Sequence, residues 1–326
     1  MPRLPKGLPN RLLNGLPNRL RSGPLPRVLL ALAALAFLAY GLARNGTETW
    51  AALERLSWWS LGVSFLAVLA GLAFMLVAWR DILAGLGSPL PLRVAARVLF
   101  VGQLGKYIPG AVWAFAAMME LARQHGAPPR RTFGATALGL VTSLGCALAL
   151  TAATLSGQIA REAWWLLALV PLILVGLHPR VLAWGLNLAL RVARRDPLDR
   201  VPSGADMTRA AAWTMAGWLV YGVHLWALVG GLRPGGVSLY AIAAGAYALA
   251  WSTGILTVVV PAGIGVREGA MVVALAPLLD TPSALVVAVV SRVMFTLADV
   301  TWAGLGFLLA RGVRAEAPGD LAPRPR

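Results

Sequence analysis

Charge is scarce in this sequence. Of 326 residues only 13% are charged, and Asp and Glu together number 13. A soluble domain carries roughly 25% charged residues, so a water-soluble globule is excluded for want of polar surface. A single cysteine, Cys146, excludes an internal disulfide and a cysteine-based metal centre. Lying in an apolar run, it reads as a small packing residue. The three histidines, His125, His178 and His224, are far apart in sequence, and there is no Gly-rich phosphate loop. No metal and no nucleotide cofactor is therefore expected. The short alternating segments of a β-barrel are missing too. Lysine is almost absent: Lys6 and Lys106 are the only two among 29 basic residues.

What the chain has in quantity is apolar sequence, 58% of it. Runs long enough to cross about 30 Å of hydrocarbon recur from Arg27 to Arg311. In lipid each backbone group must bond within its own segment, so these runs are helices. Spans are expected at 28–43, 58–79, 132–155, 163–178, 210–231, 238–260 and 284–310, and two further apolar stretches, 98–118 and 261–279, are broken by Gly and Pro. Trp58, Trp59, Trp164, Trp165 and Trp213 stand near span ends, as interfacial anchors do. The expected fold is all-α, a polytopic transmembrane helical bundle of about eight spans with two Gly/Pro-broken or re-entrant segments, one in each half, the hydropathy pattern of an inverted repeat. The bundle occupies 28–312. Residues 1–27 hold no cleavable signal peptide and read as a disordered basic cytoplasmic tail, with a short repeat at Gly7–Leu12 and Gly15–Leu20. Residues 313–326 read as a second tail.

The net charge of +16 would suit nucleic acid, but the arginines sit at the edges of apolar runs and no basic soluble domain exists. They read instead as topology determinants and headgroup anchors, so no nucleic-acid partner is expected. The loop after 79 holds Arg80, Arg93 and Arg97; the loop after 118 holds Arg123, Arg130 and Arg131. Both are cytoplasmic only if 98–118 dips into the membrane and returns. The loop 179–209, with six arginines from Arg180 to Arg209, falls on the same side, as do both termini. Loops 44–57, 156–162 and 232–237, poorer in arginine, are left outside. The expected location is a bacterial inner membrane with both termini cytoplasmic.

Chemistry points to the two breaks. The first holds Gly102, Gly105, Lys106, Pro109 and Gly110. Proline removes a backbone donor and disfavours helix before it, which lipid tolerates only where backbone lines a cavity or is buried in protein. An ionisable Lys106 at that depth marks a functional site; the plainer reading is that it snorkels to the inner headgroups beside Tyr107. The second break runs through Pro261, Gly263 and Gly265 into Arg267 and Glu268. Adjacent on a helix, these two point about 100° apart and need not pair. Arg267 suits a phosphate through its bidentate fork, and a helix starting near Val266 would add N–H groups. The alternative is a cytoplasmic turn with a surface ion pair. Arg292 and Asp299, two turns apart on one face of the last span, read as a structural pair or part of the path. His224 reads as a hydrogen-bonded core residue, and Glu120 as a partner of Arg123.

The strings GQLGKYIPGAVW and VVVPAGIGVREGAMVVAL, with Arg292 in Ser291-Arg292-Val293, resemble the signature regions of the lysylphosphatidylglycerol synthase transmembrane-domain family. The resemblance covers roughly 28–312. It implies a flippase-like domain, as in the bacterial multiple peptide resistance factors, where a separate soluble domain attaches the amino acid. This chain has no such domain, so it resembles a stand-alone member. It departs from many members in having no charged residue between Thr132 and Leu155.

The function expected is a flippase or transporter of an anionic or zwitterionic phospholipid or a polyprenyl-phosphate-linked precursor, and not an enzyme. Lys106, Arg267, Arg292 and Glu268 would form the headgroup site, and Gly102, Gly105, Pro109, Gly110, Pro261, Gly263 and Gly265 the flexible breaks. The alternative is a non-transporting scaffold that recruits a glycosyltransferase or lipid-modifying enzyme partner through loop 179–209. An integral-membrane transferase would have to rely on Glu268, Asp299 or His224, whose spacing recommends no acid–base pair.

Overall fold

The computed structural model describes residues 46–107, 112–159, 199–257 and 265–309, with positions 181, 184, 185 and 188 besides. Among these residues every regular element is helical. A short α1 (Gly46–Arg55) leads into α2 (Trp58–Gly85). Next comes α3 (Leu92–Ala96), which runs on as a π-helical turn (Arg97–Val101) and a 3-10 turn (Leu104–Tyr107). Then follow α4 (Val112–Arg123), α5 (Pro129–Ile159), α6 (Gly204–Leu232), α7 (Val237–Leu256), α8 (Val266–Leu275) and α9 (Thr281–Leu309).

Five of these helices are long and apolar enough to cross a membrane: Trp58–Gly85, Pro129–Leu155, Gly204–Leu232, Val237–Leu256 and Thr281–Leu309. They are the expected spans at 58–79, 132–155, 210–231, 238–260 and 284–310. The chain is an all-α, multi-pass membrane protein. The expected spans at 28–43 and 163–178, both tails, and Pro109, Gly110, Pro261 and Gly263 lie outside the described residues.

The long helices begin at signals in the sequence. Ser57 caps α2, its hydroxyl accepting from the Ser60 N–H at 3.1 Å. Ser203 and Asp206 cap α6 reciprocally: the Asp206 N–H donates to the Ser203 hydroxyl at 3.2 Å and the Ser203 N–H to the Asp206 carboxylate at 3.0 Å. Water-driven burial does not hold helices together in lipid, so close packing of small residues and interhelical hydrogen bonds carry the bundle. Gly71 of α2 lies under the Tyr221 ring of α6, and a methyl on Gly217 would stand 3.3 Å from the Gly71 carbonyl oxygen. Indole N–H groups cross-link the same core: Trp79 to Thr136 at 3.2 Å, Trp218 to Ser143 at 3.2 Å, and Trp302 to the Leu69 carbonyl at 3.0 Å.

Two end faces can be told apart by side-chain contacts. At one, Arg131 donates to the Gly87 carbonyl at 2.8 Å and pairs with Asp199 at 2.6 Å, while Arg209 reaches Asp81 at 2.9 Å. The end of α2, the start of α5 and the start of α6 therefore share an arginine-rich face. Since α4 leads into α5 by a short turn at 124–128, the segment from Leu92 to Arg123 leaves this face and comes back to it. The described arms of 98–118 thus start from and return to one face, the arrangement that a re-entrant segment has. At the opposite face Arg233 donates to the Leu278 carbonyl at 3.0 Å, and α1 packs its buried Ala52 and Leu56 on Val286, near the start of α9. The segment from Val237 to Leu278 thus leaves and regains that face. Trp50, Trp58 and Trp59 are exposed there, as an aromatic belt requires.

Candidate functional site

The two returning segments come from opposite faces and meet the same helix. From the arginine-rich face, α3 and its π-turn descend beside the last turns of α9, with Phe100 stacked on Trp302 at 4.8 Å. A π-turn in a helix frequently accompanies a functional site. The two arms of this hairpin touch directly. A methyl on Gly105 would lie 2.6 Å from the Ala114 backbone nitrogen, and one on Gly102 would lie 3.1 Å from the Met118 Cα. These glycines were expected as flexible gates, and both serve here as close contacts between backbones. Below them the Lys106 ammonium pairs with Asp299 at 2.6 Å, and the Tyr107 hydroxyl donates to the same carboxylate oxygen at 2.7 Å.

From the other face comes α8, about 15 Å long at 1.5 Å per residue, half the thickness of the hydrocarbon. It begins at Val266, as the sequence suggested. Gly265 before it has φ +84°, a conformation that an L side chain resists. Glu268 caps this start, accepting from the Gly265 N–H at 2.6 Å with one oxygen. Its other oxygen accepts from Arg292 at 2.9 Å. Arg267 and Glu268 indeed do not pair. Arg267 donates to the Tyr247 hydroxyl at 2.8 Å and lies against the rings of Tyr247 (5.1 Å) and Phe295 (5.3 Å), which stack on each other. Among the described residues it makes no ion pair.

Depth follows from α9. Phe295 stands at the midpoint of Thr281–Leu309, and Arg292 and Asp299 are within about 6 Å of it along the axis. Both ion pairs therefore lie level with the middle third of α9. Asp299 and Glu268 are buried, each with a side chain 4% exposed, whereas Lys106 is 41% exposed. The Lys106 ammonium sits on the side of the bundle, level with the middle of α9, where it pairs with Asp299. Beside it α9 turns an apolar stripe outward at Val293, Leu297 and Val300. Arg292 reaches Glu268 of the second break and Asp299 reaches Lys106 of the first, so each serves a different break.

His224 is wholly buried, with Nδ1 at 2.6 Å from the Ser64 hydroxyl and Nε2 at 2.9 Å from that of Ser291. That is the core histidine expected: it ties α2, α6 and α9 together. Glu120 pairs with Arg123 at 2.8 Å, as its spacing suggested. No group of His, Cys, Asp or Glu suited to a metal ion occurs among the described residues. Sequence reading missed Tyr247 as the anchor of Arg267 and Tyr107 as a second donor to Asp299. A signal was available: the chain has five tyrosines, and Tyr107, Tyr221 and Tyr247 lie deep in apolar segments instead of at the interfaces that tyrosine favours.

Half-helices entering from opposite faces and converging at mid-depth on a charged helix define a class, the membrane proteins with a buried central site built on broken helices. The chain belongs to the lysylphosphatidylglycerol synthase TM region family, whose model matches residues 26–303. A search of curated proteins finds no match.

Proposed function

We propose that this protein is a lipid flippase, carrying a phospholipid or a polyprenyl-phosphate-linked lipid between leaflets, with Arg267 as the principal headgroup ligand. The observation that carries this reading is the pairing pattern at mid-depth. Lys106 and Arg292 are each matched by a carboxylate, whereas among the described residues Arg267 is held in place by a phenol and two rings. A guanidinium in hydrocarbon without a counter-ion is costly, and a phosphate satisfies it in bidentate fashion. The partly exposed Lys106 and the apolar stripe beside it support a lateral opening, through which acyl chains stay in lipid while the headgroup enters. Lys106 and Arg292 then support the phosphate as the breaks shift, exchanging carboxylate for phosphate oxygens.

In this reading the protein is a carrier and not an enzyme. Its arginine-rich face is cytoplasmic, since arginines outnumber acids there, while Arg55 and Arg233 at the other face stand near Glu54 and Asp280. A bacterial inner membrane suits that orientation. The test is reconstitution in liposomes with fluorescent phospholipid and polyprenyl-phosphate probes, wild type against Arg267→Ala. Lipid crossing should be lost in the variant while membrane insertion is kept. Wild-type rates in the variant would sink the assignment of the site. If charge reversal in loop 179–209 mattered more than Arg267, the protein would be a scaffold for a lipid-modifying enzyme.

A further inference from the structure

The charges at mid-depth can be counted, because sequence and structure together leave few of them. The segments 28–43, 58–79, 132–155, 163–177, 210–231 and 237–264 contain no Asp, Glu, Lys or Arg. Among the described residues, the carriers of charge near the middle of α9 are Lys106, Asp299, Arg292, Glu268 and Arg267. Arg97 stands apart, beside Gly306 and Phe307 toward the arginine-rich end of α9. Lys106 is balanced by Asp299 and Arg292 by Glu268, which leaves one positive charge, on Arg267.

From this balance, and resting on the flippase reading above, we infer that the site selects lipids whose headgroup carries one net negative charge on a phosphodiester, and discriminates against diphosphate-linked lipids. A single phosphodiester anion on Arg267 brings the cluster to neutrality. A diphosphate brings at least one further negative charge into a low-dielectric region, and the cluster then carries a net negative charge whichever cations the phosphates take from the two carboxylates. The same chemistry is offered by an anionic glycerophospholipid and by a polyprenyl monophosphate sugar, whereas a polyprenyl diphosphate lies outside it. The cost of an unmatched charge at the bilayer centre corresponds to on the order of 100-fold in affinity. Either carboxylate sets the count, so removing either one should admit the second negative charge. Glu268 and Asp299 lie on different elements and face different neighbours. Glu268 meets Gly265 and Arg292, and Asp299 meets Lys106 and Tyr107. A packing defect at one is not shared by the other.

The experiment is a lipid competition on the full chain in phosphatidylcholine nanodiscs, read by native mass spectrometry. The competitors are phosphatidylglycerol, a polyprenyl monophosphate hexose and a polyprenyl diphosphate, and the proteins are wild type, Glu268→Gln and Asp299→Asn. Wild type should retain one of the two monoanionic lipids over the diphosphate by about 100-fold, and whichever it retains names the source. Each variant that elutes as a folded protein should narrow that preference at least tenfold. Equal or better retention of the diphosphate by wild type would overturn the inference, as would an unchanged preference in a folded variant. So would retention of none of the three. The flippase reading fails separately: selective binding without lipid crossing removes the carrier and keeps the charge rule, and efficient crossing of the diphosphate lipid does the reverse.

Discussion

Arg292 and Asp299 lie two turns apart on one face of α9, and each is bonded to a different broken segment. Arg292 holds the capped start of α8 through Glu268, and Asp299 holds the tip of the first hairpin through Lys106 and Tyr107. One helix thus registers two half-membrane elements that enter from opposite faces. The polarity alternates: the first break brings a cation to an acid of α9, and the second brings an acid to an arginine of α9. Movement of either tip requires an ion pair at mid-depth to open, which is favourable only when another charged group takes its place.

The two partners of the first pair should not be equivalent. Asp299 is 4% exposed and Lys106 41%. Lys106→Ala strands a buried carboxylate, while Asp299→Ala strands an ammonium that reaches the surface of the bundle. A broken buried pair costs about 3–5 kcal/mol, so Lys106→Ala should approach that range and Asp299→Ala should cost about 1–2 kcal/mol less. The double variant should be less destabilised than the sum of the two. Thermal unfolding in detergent measures all three. Equal costs, or strict additivity, would show that the pair does not form in the membrane.

Re-entrance of Leu92–Arg123 gives a direct labelling pattern. In a Cys146→Ser background, Pro89→Cys and Gln124→Cys, both exposed, should react with an impermeant maleimide from the same side of sealed vesicles. Gly236→Cys should react only from the other. Opposite-side labelling of 89 and 124 would mean that the segment crosses.

Much of this was legible in the sequence. The apolar runs fixed the spans, and the distribution of arginines required 98–118 to return, because a single crossing would have split two basic loops between faces. The start of α8 at Val266 and the independence of Arg267 from Glu268 followed from helix geometry. The cross-pairing did not. Lys106 and Asp299 are 193 positions apart, and Arg292 and Glu268 are held by a contact between elements. Hydropathy reports how deep a residue lies but not which way its side chain points around the bundle. The close contact at Gly105 was hidden for the same reason. A glycine in a break suggests freedom, and only the fold reveals that another backbone occupies the space where its Cβ would be.

Gly105→Ala should therefore force the hairpin arms apart, since its methyl would fall 2.6 Å from the Ala114 nitrogen. Overpacking of this kind costs about 1–3 kcal/mol, and here it would also pull Lys106 from Asp299. Gly304→Ala, with nothing within 4 Å of the added carbon, is the matched control and should be neutral or stabilising by about 0.5–1 kcal/mol. Unfolding midpoints of the two variants separate packing from helix propensity. Equal tolerance at both sites would mean that the arms are not in contact.

The arginine-rich face carries an acid-sensitive clasp. Asp199 accepts from Arg131 at 2.6 Å and Arg130 at 3.2 Å, and the Arg131 bond holds its carboxyl below the ordinary carboxylate range. A carboxyl depressed in the folded state contributes stability above its unfolded value, near pH 4, and that contribution is lost as pH falls through the folded value. Wild type should therefore lose more stability than Asp199→Asn on going from pH 7 to pH 3, and the two should converge at the acid end. The group is exposed, so the effect is small and should shrink in high salt. Parallel pH profiles would mean that the clasp does not form.

Tyr247 separates the placing of Arg267 from the packing of the core. Its ring stacks on Phe295 at 5.2 Å and tilts against Trp218 and Tyr221, while its hydroxyl accepts from Arg267 at 2.8 Å. Tyr247→Phe keeps the ring and removes only the acceptor. A hydrogen bond to a charged group contributes about 1.5–3 kcal/mol, of which a guanidinium still resting on two rings should lose part. Lipid crossing should then fall about tenfold, with the unfolding midpoint nearly unchanged. Tyr247→Ala removes the ring as well and should cost about 3–5 kcal/mol of stability. If the phenylalanine variant carried lipid at the wild-type rate, the hydroxyl would be a passive neighbour of Arg267, and the aromatic faces alone would hold the guanidinium at mid-depth.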